Sequence, residues 1–585
     1  MDYKVDLEDV KFTLFDFLNA GQLTELPRYQ GQTTDMYESV IEEALKLVRN
    51  EIAPLNEKGD RIGAKIVEGR VVMPEGFKET LKSFGQNGFM AIDLDPQYNG
   101  MGLPIMMNTV VSEFVMGACP SFAFFHLLTR GDCNLIQAFG SEEQKQLYLS
   151  RMTTAQWCGT MCLTEPQAGS AVGDITTTAK KNADRSYAIQ GTKMFITCGD
   201  HDLSENIIHL VLARIEGDAP GTKGISLFIV PAKRVNSDGS LDQDNDVKLI
   251  SIEHKMGIKA SPTCLLQFGD KNQCQGFLMG KQSEGMKYMF QLMNEARLAV
   301  GQQGVATAGP SYEYALQYSK ERTQGGKTLI INYPDVRRML MTMKTYVEAL
   351  RCLILETSLF IDIGWYHADP HVREEYEGYL GLMTPVCKAF GSDMGFRVTE
   401  LAIQTYGGYG YISDYPVEQY MRDLKIASLY EGTNGIQAMD LIGRKFLKDG
   451  GKNLIRYFEK IKNQLDQTSK ASELKPLSEK ILNTMGRFSK AAEYVAVQAT
   501  KPELTGLAAT PFLRALGDII CAQLLVRRAA TALKQLTQNS SEERACFLKG
   551  KVEVSKFYVE QLLPEADLNI TRILSNDVSA LADIL

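Results

Sequence analysis

The stretch Tyr187-Ala188-Ile189-Gln190-Gly191-Thr192-Lys193-Met194-Phe195-Ile196-Thr197 decides the fold class. β-Formers flank Gln190-Gly191, so the segment reads as a hairpin turning at that pair. Ile208 to Arg214 and Ile225 to Val230 continue the style, divided by Pro220-Gly221-Thr222-Lys223-Gly224, and Val247 to Phe268 extends it. Short strands without intervening helices predict an antiparallel β-barrel or sandwich in the middle of the chain.

Outward from these strands the periodicity is helical. Between Tyr37 and Pro54 the apolar residues Ile41, Leu45, Val48 and Ile52 share one helical face, which Pro54 is expected to end. Ser141-Glu142-Glu143-Gln144 has the form of a capping box. Helical spacing returns near residue 284 and persists, broken at Gly450-Gly451. The chain is therefore expected to be α+β, with an N-terminal helical domain (1–155), a middle β domain (156–280), a C-terminal helical domain (281–445) and a helical extension (446–585). The extension has 20 Lys plus Arg against 16 Asp plus Glu, a net charge of +4, whereas the other 445 residues carry -12.

Of the 585 residues 44% are hydrophobic and 23% charged, which excludes disorder for most of the chain. A net charge of -8 argues against a protein that lives by gripping nucleic acid. Eleven cysteines with no Cys-x-x-Cys pair read as reduced thiols. The charged start, Met1-Asp2-Tyr3-Lys4, has no apolar signal core, and no uncharged apolar run approaches the ~20 residues of a membrane span. A cytoplasmic protein is expected.

Two stretches carry chemistry. Gln404-Thr405-Tyr406-Gly407-Gly408-Tyr409-Gly410 is followed by Tyr430-Glu431-Gly432-Thr433-Asn434-Gly435-Ile436-Gln437. The glycines let backbone come close to a ligand. Glu431, on a loop just before a helix, is suited to general-base work. The other stretch is Met161-Cys162-Leu163-Thr164-Glu165-Pro166-Gln167-Ala168-Gly169-Ser170, whose hydroxyls and small turn suit a flat heteroaromatic ring and a phosphate. The six histidines are read as structural and no metal is expected: only His367 and His371 are four apart, with Pro370 between them.

Together the two stretches resemble the acyl-CoA dehydrogenase superfamily, over roughly residues 35 to 445. The long C-terminal extension narrows the likeness to the large bacterial branch that includes 3-(methylthio)propanoyl-CoA and long-chain acyl-CoA dehydrogenases. The resemblance implies that the C-terminal domain is a four-helix bundle and that FAD is the cofactor. Glu431 would be the base that removes the α-proton of an acyl-CoA, its own N–H polarising the thioester carbonyl, with Tyr430 and Gly432 beside the substrate. Met161, Leu163, Thr164, Gly169 and Ser170 would line the flavin, Ser170 also touching CoA. Phe195, Ile196 and Thr197 would cover the ring, with Phe195 where the family has Trp. Arg322, Gln324, Gln404, Gly407 and Gly408 would reach the FAD of a neighbouring subunit in a homodimer. Thr433 and Gly435 would follow the pyrophosphate, and Asn294 and Arg297 the CoA chain. An electron-transfer flavoprotein is the expected acceptor; an acyl-CoA oxidase and a DNA-associated flavoprotein are the alternatives.

Departures from the family pattern are Ala171, Gly325, Tyr333-Pro334 and Gln419, the last expected to alter a surface pair. Ala296 stands where some relatives place the base, and Glu295, one residue off, is expected to be a solvated or CoA-proximal charge. The basic amphipathic run from Lys445 to Lys462 suits either an anionic membrane or, as preferred here, packing on the dehydrogenase core.

Overall fold

The computed structural model describes residues 2–538 and 541–582. It divides into two compact units, one built on Tyr37–Ala296 and the other on Lys4–Met36 with Arg297–Leu585. The helices used below are α1 (Leu7–Lys11), α2 (Thr34–Leu47), α3 (Ala53–Ile62), α4 (Pro120–Phe139), α5 (Glu142–Met152), α6 (Gly285–Glu321), α7 (Pro334–Tyr366), α8 (Pro370–Tyr406), α9 (Asn434–Asp440), α10 (Lys452–Thr468), α11 (Lys475–Val497), α12 (Pro502–Leu536), α13 (Glu542–Phe557) and α14 (Pro564–Leu574).

In the first unit Ile41, Leu45, Val48 and Ile52 are all buried, as their spacing predicts. Pro54 does not end the helix. The chain runs from α2 through a π turn over Val48–Ile52 into α3, where Pro54 sits in the first turn. A first-turn proline needs no N–H partner, so it is tolerated there. The capping box at Ser141 forms at the head of α5, with Gln144 reaching back to the Ser141 N–H at 3.0 Å.

The middle of the chain forms one eight-stranded sheet. Its strands are β1 (Trp157–Cys162), β2 (Thr178–Lys181), β3 (Tyr187–Thr197), β4 (Asn206–Ile215), β5 (Ile225–Pro231), β6 (Val247–Ile252), β7 (Thr263–Phe268) and β8 (Gln275–Met279). Their order is β6-β7-β3-β8-β5-β4-β1, with β2 paired to both β3 and β4. Most pairings are antiparallel, but β1 and β2 each run parallel to β4. Tyr187–Thr197 is one unbroken strand rather than a hairpin. Gly191 makes no turn: a Cβ there would lie 2.7 Å from Cβ of Thr177, so glycine serves close packing. Leu135, Ile136, Tyr148, Trp157, Leu210 and Leu227 lie in one buried core joining α4, α5 and the sheet.

The second unit is helical. α6, α7 and α8 are long, and α6 and α8 cross closely where Gly301 and Gly304 face Cys387 and Gly391; a Cβ on Gly391 would lie 2.9 Å from the Gly301 carbonyl oxygen. Gly450 and Gly451, both with positive φ, separate the π turn Leu441–Leu447 from α10, as the sequence predicts. Leu454, Tyr457, Ile461 and Leu465 of α10 are buried, so its apolar face is used in packing. Lys460 of that helix lies over the rings of Tyr376 and Tyr379, at 4.4 and 5.0 Å. α12 has the length and apolarity of a membrane span, yet 83% of its most apolar window is buried within the protein.

Candidate functional site

In the first unit the two segments expected at the flavin converge. The loop after β1 is tied to β3 by Met194 N–H donating to the Thr164 carbonyl at 2.8 Å and by Lys193 Nζ donating to the Leu163 carbonyl at 3.0 Å. Thr160 Oγ1 donates to the Thr197 carbonyl at 2.7 Å. Glu165 anchors the loop from inside. It accepts from Lys193 Nζ at 2.9 Å, from the N–H groups of Thr176 and Thr177, and from both their hydroxyls. Burial alone would raise its pKa, but Lys193 and these donors bring it to about 2. Burial in turn pulls Lys193 down. Neither Lys193 nor Glu165 touches a ligand in the sequence expectation; a lysine inside an apolar strand and the acid of Thr-Glu-Pro were the only signals.

Above this base Phe195 has φ +59° and is 57% exposed. A bulky residue in the left-handed region is held at a cost of about 1–3 kcal/mol. Thr164 and Met161 are half-buried, Leu163 and Ile196 buried, and Gly169 and Ser170 exposed. Nothing lies within 4 Å of where a Gly169 Cβ would be. An exposed aromatic side chain and an open, small-residue loop fit a flat cofactor ring.

In the second unit Glu431 and Gly432 form a left-handed turn, with φ +54° and +83°. Gln437 Nε2 donates to the Glu431 carbonyl at 3.1 Å, and a Cβ on Gly432 would lie 2.7 Å from that nitrogen. Thr433 caps α9 by accepting from the Ile436 N–H. Tyr430 Oη donates to Gln303 Oε1 at 2.6 Å. Burial raises the Glu431 pKa, and the cations Arg297 and Lys388 oppose the shift. Burial likewise raises Tyr430, aided by the charge of Glu431. A carboxylate held above its ordinary range is a better base near neutrality. Arg297 is 7% exposed, and Gly435 and Thr433 are exposed on the outer side of the turn.

Still in the second unit, Thr323–Gln324 pairs with Thr328–Leu329 in a small hairpin turning at Gly325 and Gly326, with φ +61° and +89°. Tyr333 Oη donates to the Gln324 carbonyl at 3.0 Å, and a Cβ on Gly325 would lie 2.7 Å from that oxygen. The two departures, Gly325 and Tyr333, are thus one packing solution. The Arg322 guanidinium lies 5.3 Å over the ring of Tyr409. This brings the hairpin to the Gly407-Gly408 turn that ends α8, where Gln404, Gly407 and Gly408 are all exposed.

Other expectations are corrected. Glu295 is not solvated: Asn134 Nδ2 donates to it at 2.8 Å and Arg130 lies 3.3 Å away, and burial raises its pKa. Gln419 is buried and donates to Asp423 at 3.1 Å, so it alters no surface pair. Asn294 is exposed and Arg297 buried, three residues apart on α6. His126, His201 and His209 are buried, and burial pulls each down to about 3, which keeps their rings neutral. Lys388, Asn434 and Gln303 were not foreseen.

The chain matches four domain descriptions of one family: acyl-CoA dehydrogenase N-terminal domain over 34–156, middle domain over 160–271, C-terminal domain over 283–446, and acetyl-CoA dehydrogenase C-terminal like over 457–582. It is 35% identical to the 3-methylmercaptopropionyl-CoA dehydrogenase of Ruegeria pomeroyi, over 99% of both chains. It is 34% identical to a broad-specificity linear acyl-CoA dehydrogenase of Mycobacterium tuberculosis, over 99% of both. A Bacillus anthracis acyl-CoA dehydrogenase complexed with FAD has the same fold, with a TM-score of 0.74 at 22% identity, covering 94% of this chain and 90% of that one. The chain belongs to the acyl-CoA dehydrogenase family and is an oxidoreductase acting on acyl-CoA.

Proposed function

We propose that this enzyme converts a saturated acyl-CoA to its trans-2-enoyl-CoA, with Glu431 as the base. The observation that carries the reading is the Glu431 carboxyl itself: half-buried, held in a left-handed turn, and facing the charges of Arg297 and Lys388. The α-proton of a thioester is a weak acid, and donors to its carbonyl oxygen stabilise the enolate that forms as the proton leaves. The Glu431 N–H is the donor assigned to that oxygen. Glu431 then keeps the proton. Bound FAD supplies the acceptor, flavin N5, for the hydride that leaves the β-carbon.

Met161, Leu163, Thr164, Gly169 and Ser170 would hold the flavin with Phe195, Ile196 and Thr197. Thr433 and Gly435 would follow its pyrophosphate. In a homodimer, Arg322, Gln324, Gln404, Gly407 and Gly408 would reach the neighbouring FAD. Tyr430 and Gly432 would border the thioester, and Ser170, Asn294 and Arg297 the CoA. An electron-transfer flavoprotein takes the electrons onward in this reading.

A linear medium or long acyl chain is the preferred substrate. The likeness to the Ruegeria pomeroyi protein favours a short thioether acyl chain as the second reading. Anaerobic flavin reduction by linear acyl-CoAs of increasing length and by 3-(methylthio)propanoyl-CoA separates the two. Fastest reduction by the thioether ester overturns the linear preference. No reduction by any of them overturns the proposed reaction. Rapid peroxide formation in air without another acceptor would assign an oxidase instead.

A further inference from the structure

From Leu382 to Ser392 the only ionisable residues of α8 are Cys387 and Lys388, among apolar and small neighbours. Lys388 has no exposed surface. An ammonium buried in an apolar helix face is costly unless it is bonded and serves something. Its Nζ donates to Asn434 Oδ1 at 2.8 Å. Asn434 is the first residue of α9, directly after Thr433, and its amide nitrogen donates to Asp393 Oδ1 at 2.7 Å and to Ser392 Oγ at 3.0 Å. Asp393 is itself paired with Arg514 of α12, at 3.1 Å. Asn434 is thus fixed from α8 through both ends of its amide. Three residues upstream lies Glu431, in a backbone conformation that a residue with a side chain rarely adopts.

We propose that Lys388 is a positioning residue for the reaction: through Asn434 it fixes the turn that presents Glu431, and it supplies one of the two cations facing that carboxylate. The inference rests on Glu431 being the base. The charged groups around Glu431 are Arg297 from α6 and Lys388 from α8, with Asp440 and Arg444 beside Arg297, Asp393 beside Lys388, and the Tyr430 phenol next in sequence. Burial brings Lys388 itself down to about 8, so it is mostly charged at neutral pH.

Three holoenzyme variants test this beside Glu431→Gln, with rapid flavin reduction by an acyl-CoA measured across pH and amide hydrogen exchange measured over residues 431–437. Lys388→Met should slow reduction at neutral pH by roughly tenfold or more, and move the acidic limb of the profile up by about one unit because a facing cation is lost. Lys388→Arg should restore the limb but only part of the rate. Asn434→Ala keeps the cation, so it should slow reduction and speed exchange without moving the limb. If Glu431→Gln is inactive while Lys388→Met and Asn434→Ala keep the parent rate, limb and exchange, the positioning role is wrong and the base assignment stands. If Glu431→Gln reduces its flavin at the parent rate, the base assignment itself fails.

Discussion

Lys193 Nζ and Glu165 Oε1 lie 2.9 Å apart with both side chains out of water, and this pair ties strand β3 to the loop after β1. Removing one partner of a buried pair leaves an uncompensated charge, at a cost of about 3–5 kcal/mol. Lys193→Met is therefore expected to lower stability by that order, and Lys193→Met with Glu165→Gln by clearly less. Urea unfolding of the parent, Lys193→Met, Glu165→Gln and the double variant checks the non-additivity. A loss in the double variant equal to the sum of the two single losses would mean that the pair is not coupled.

Phe195 separates strain from function. Phe195→Gly removes the left-handed penalty, about 1–3 kcal/mol, while losing the side chain of an exposed position. Global stability should stay the same or rise, while FAD dissociates more readily. Thermal unfolding of the apoprotein and flavin titration give the two numbers. A stable variant with parent FAD affinity would remove Phe195 from the cofactor site.

Asp9 of α1 is enclosed by Arg351 of α7, at 2.5 Å, and by Arg528 of α12 and Lys551 of α13, with Glu348 sharing the latter two. This network fastens the N-terminal segment to the helices of the extension within the second unit. Burial would raise the Asp9 pKa, but Arg528, Lys551 and Arg351 hold it well below its ordinary 3.8. Stability contributed by a depressed carboxylate is complete above its unfolded pKa and is lost as the pH falls toward the folded one. Asp9→Asn should therefore cost about 3–5 kcal/mol at neutral pH, and the gap to the parent should narrow below about pH 4. A pH-independent gap in urea midpoints would contradict this.

Gly325 and Tyr333 share one space. Gly325→Ala meets both the positive φ and the Tyr333 hydroxyl, so it should destabilise the hairpin by about 1–2 kcal/mol. Tyr333→Phe added to it should recover the steric part only. Hydrogen exchange at Gln324 and Thr328 measures the local effect. No change at these amides would show that the hairpin does not depend on the glycine.

The order of helices, strands and helices was legible because periods of 3.6 and 2 survive in the residues that face the core, as at Ile41, Leu45, Val48 and Ile52. Gly191 misled, because a glycine that permits close packing against Thr177 looks like a glycine that permits a turn. Pro54 misled because a proline suits both the end of a helix and the first turn of the next. The Glu431 turn was legible from Gly432 and Thr433 as local signals. Lys388 was not, because its partner Asn434 lies 46 residues away and only the helix crossing brings them together.

The central claim is that the Glu431 carboxylate takes the α-proton. Stopped-flow bleaching of the FAD by an acyl-CoA without oxygen tests it most directly, in the parent and in Glu431→Gln with equal flavin content. Loss of a general base predicts reduction slower by about 10²–10⁴-fold, and in the parent a rate that falls as the pH drops through a midpoint above 4.5. Undiminished bleaching in Glu431→Gln would contradict the account.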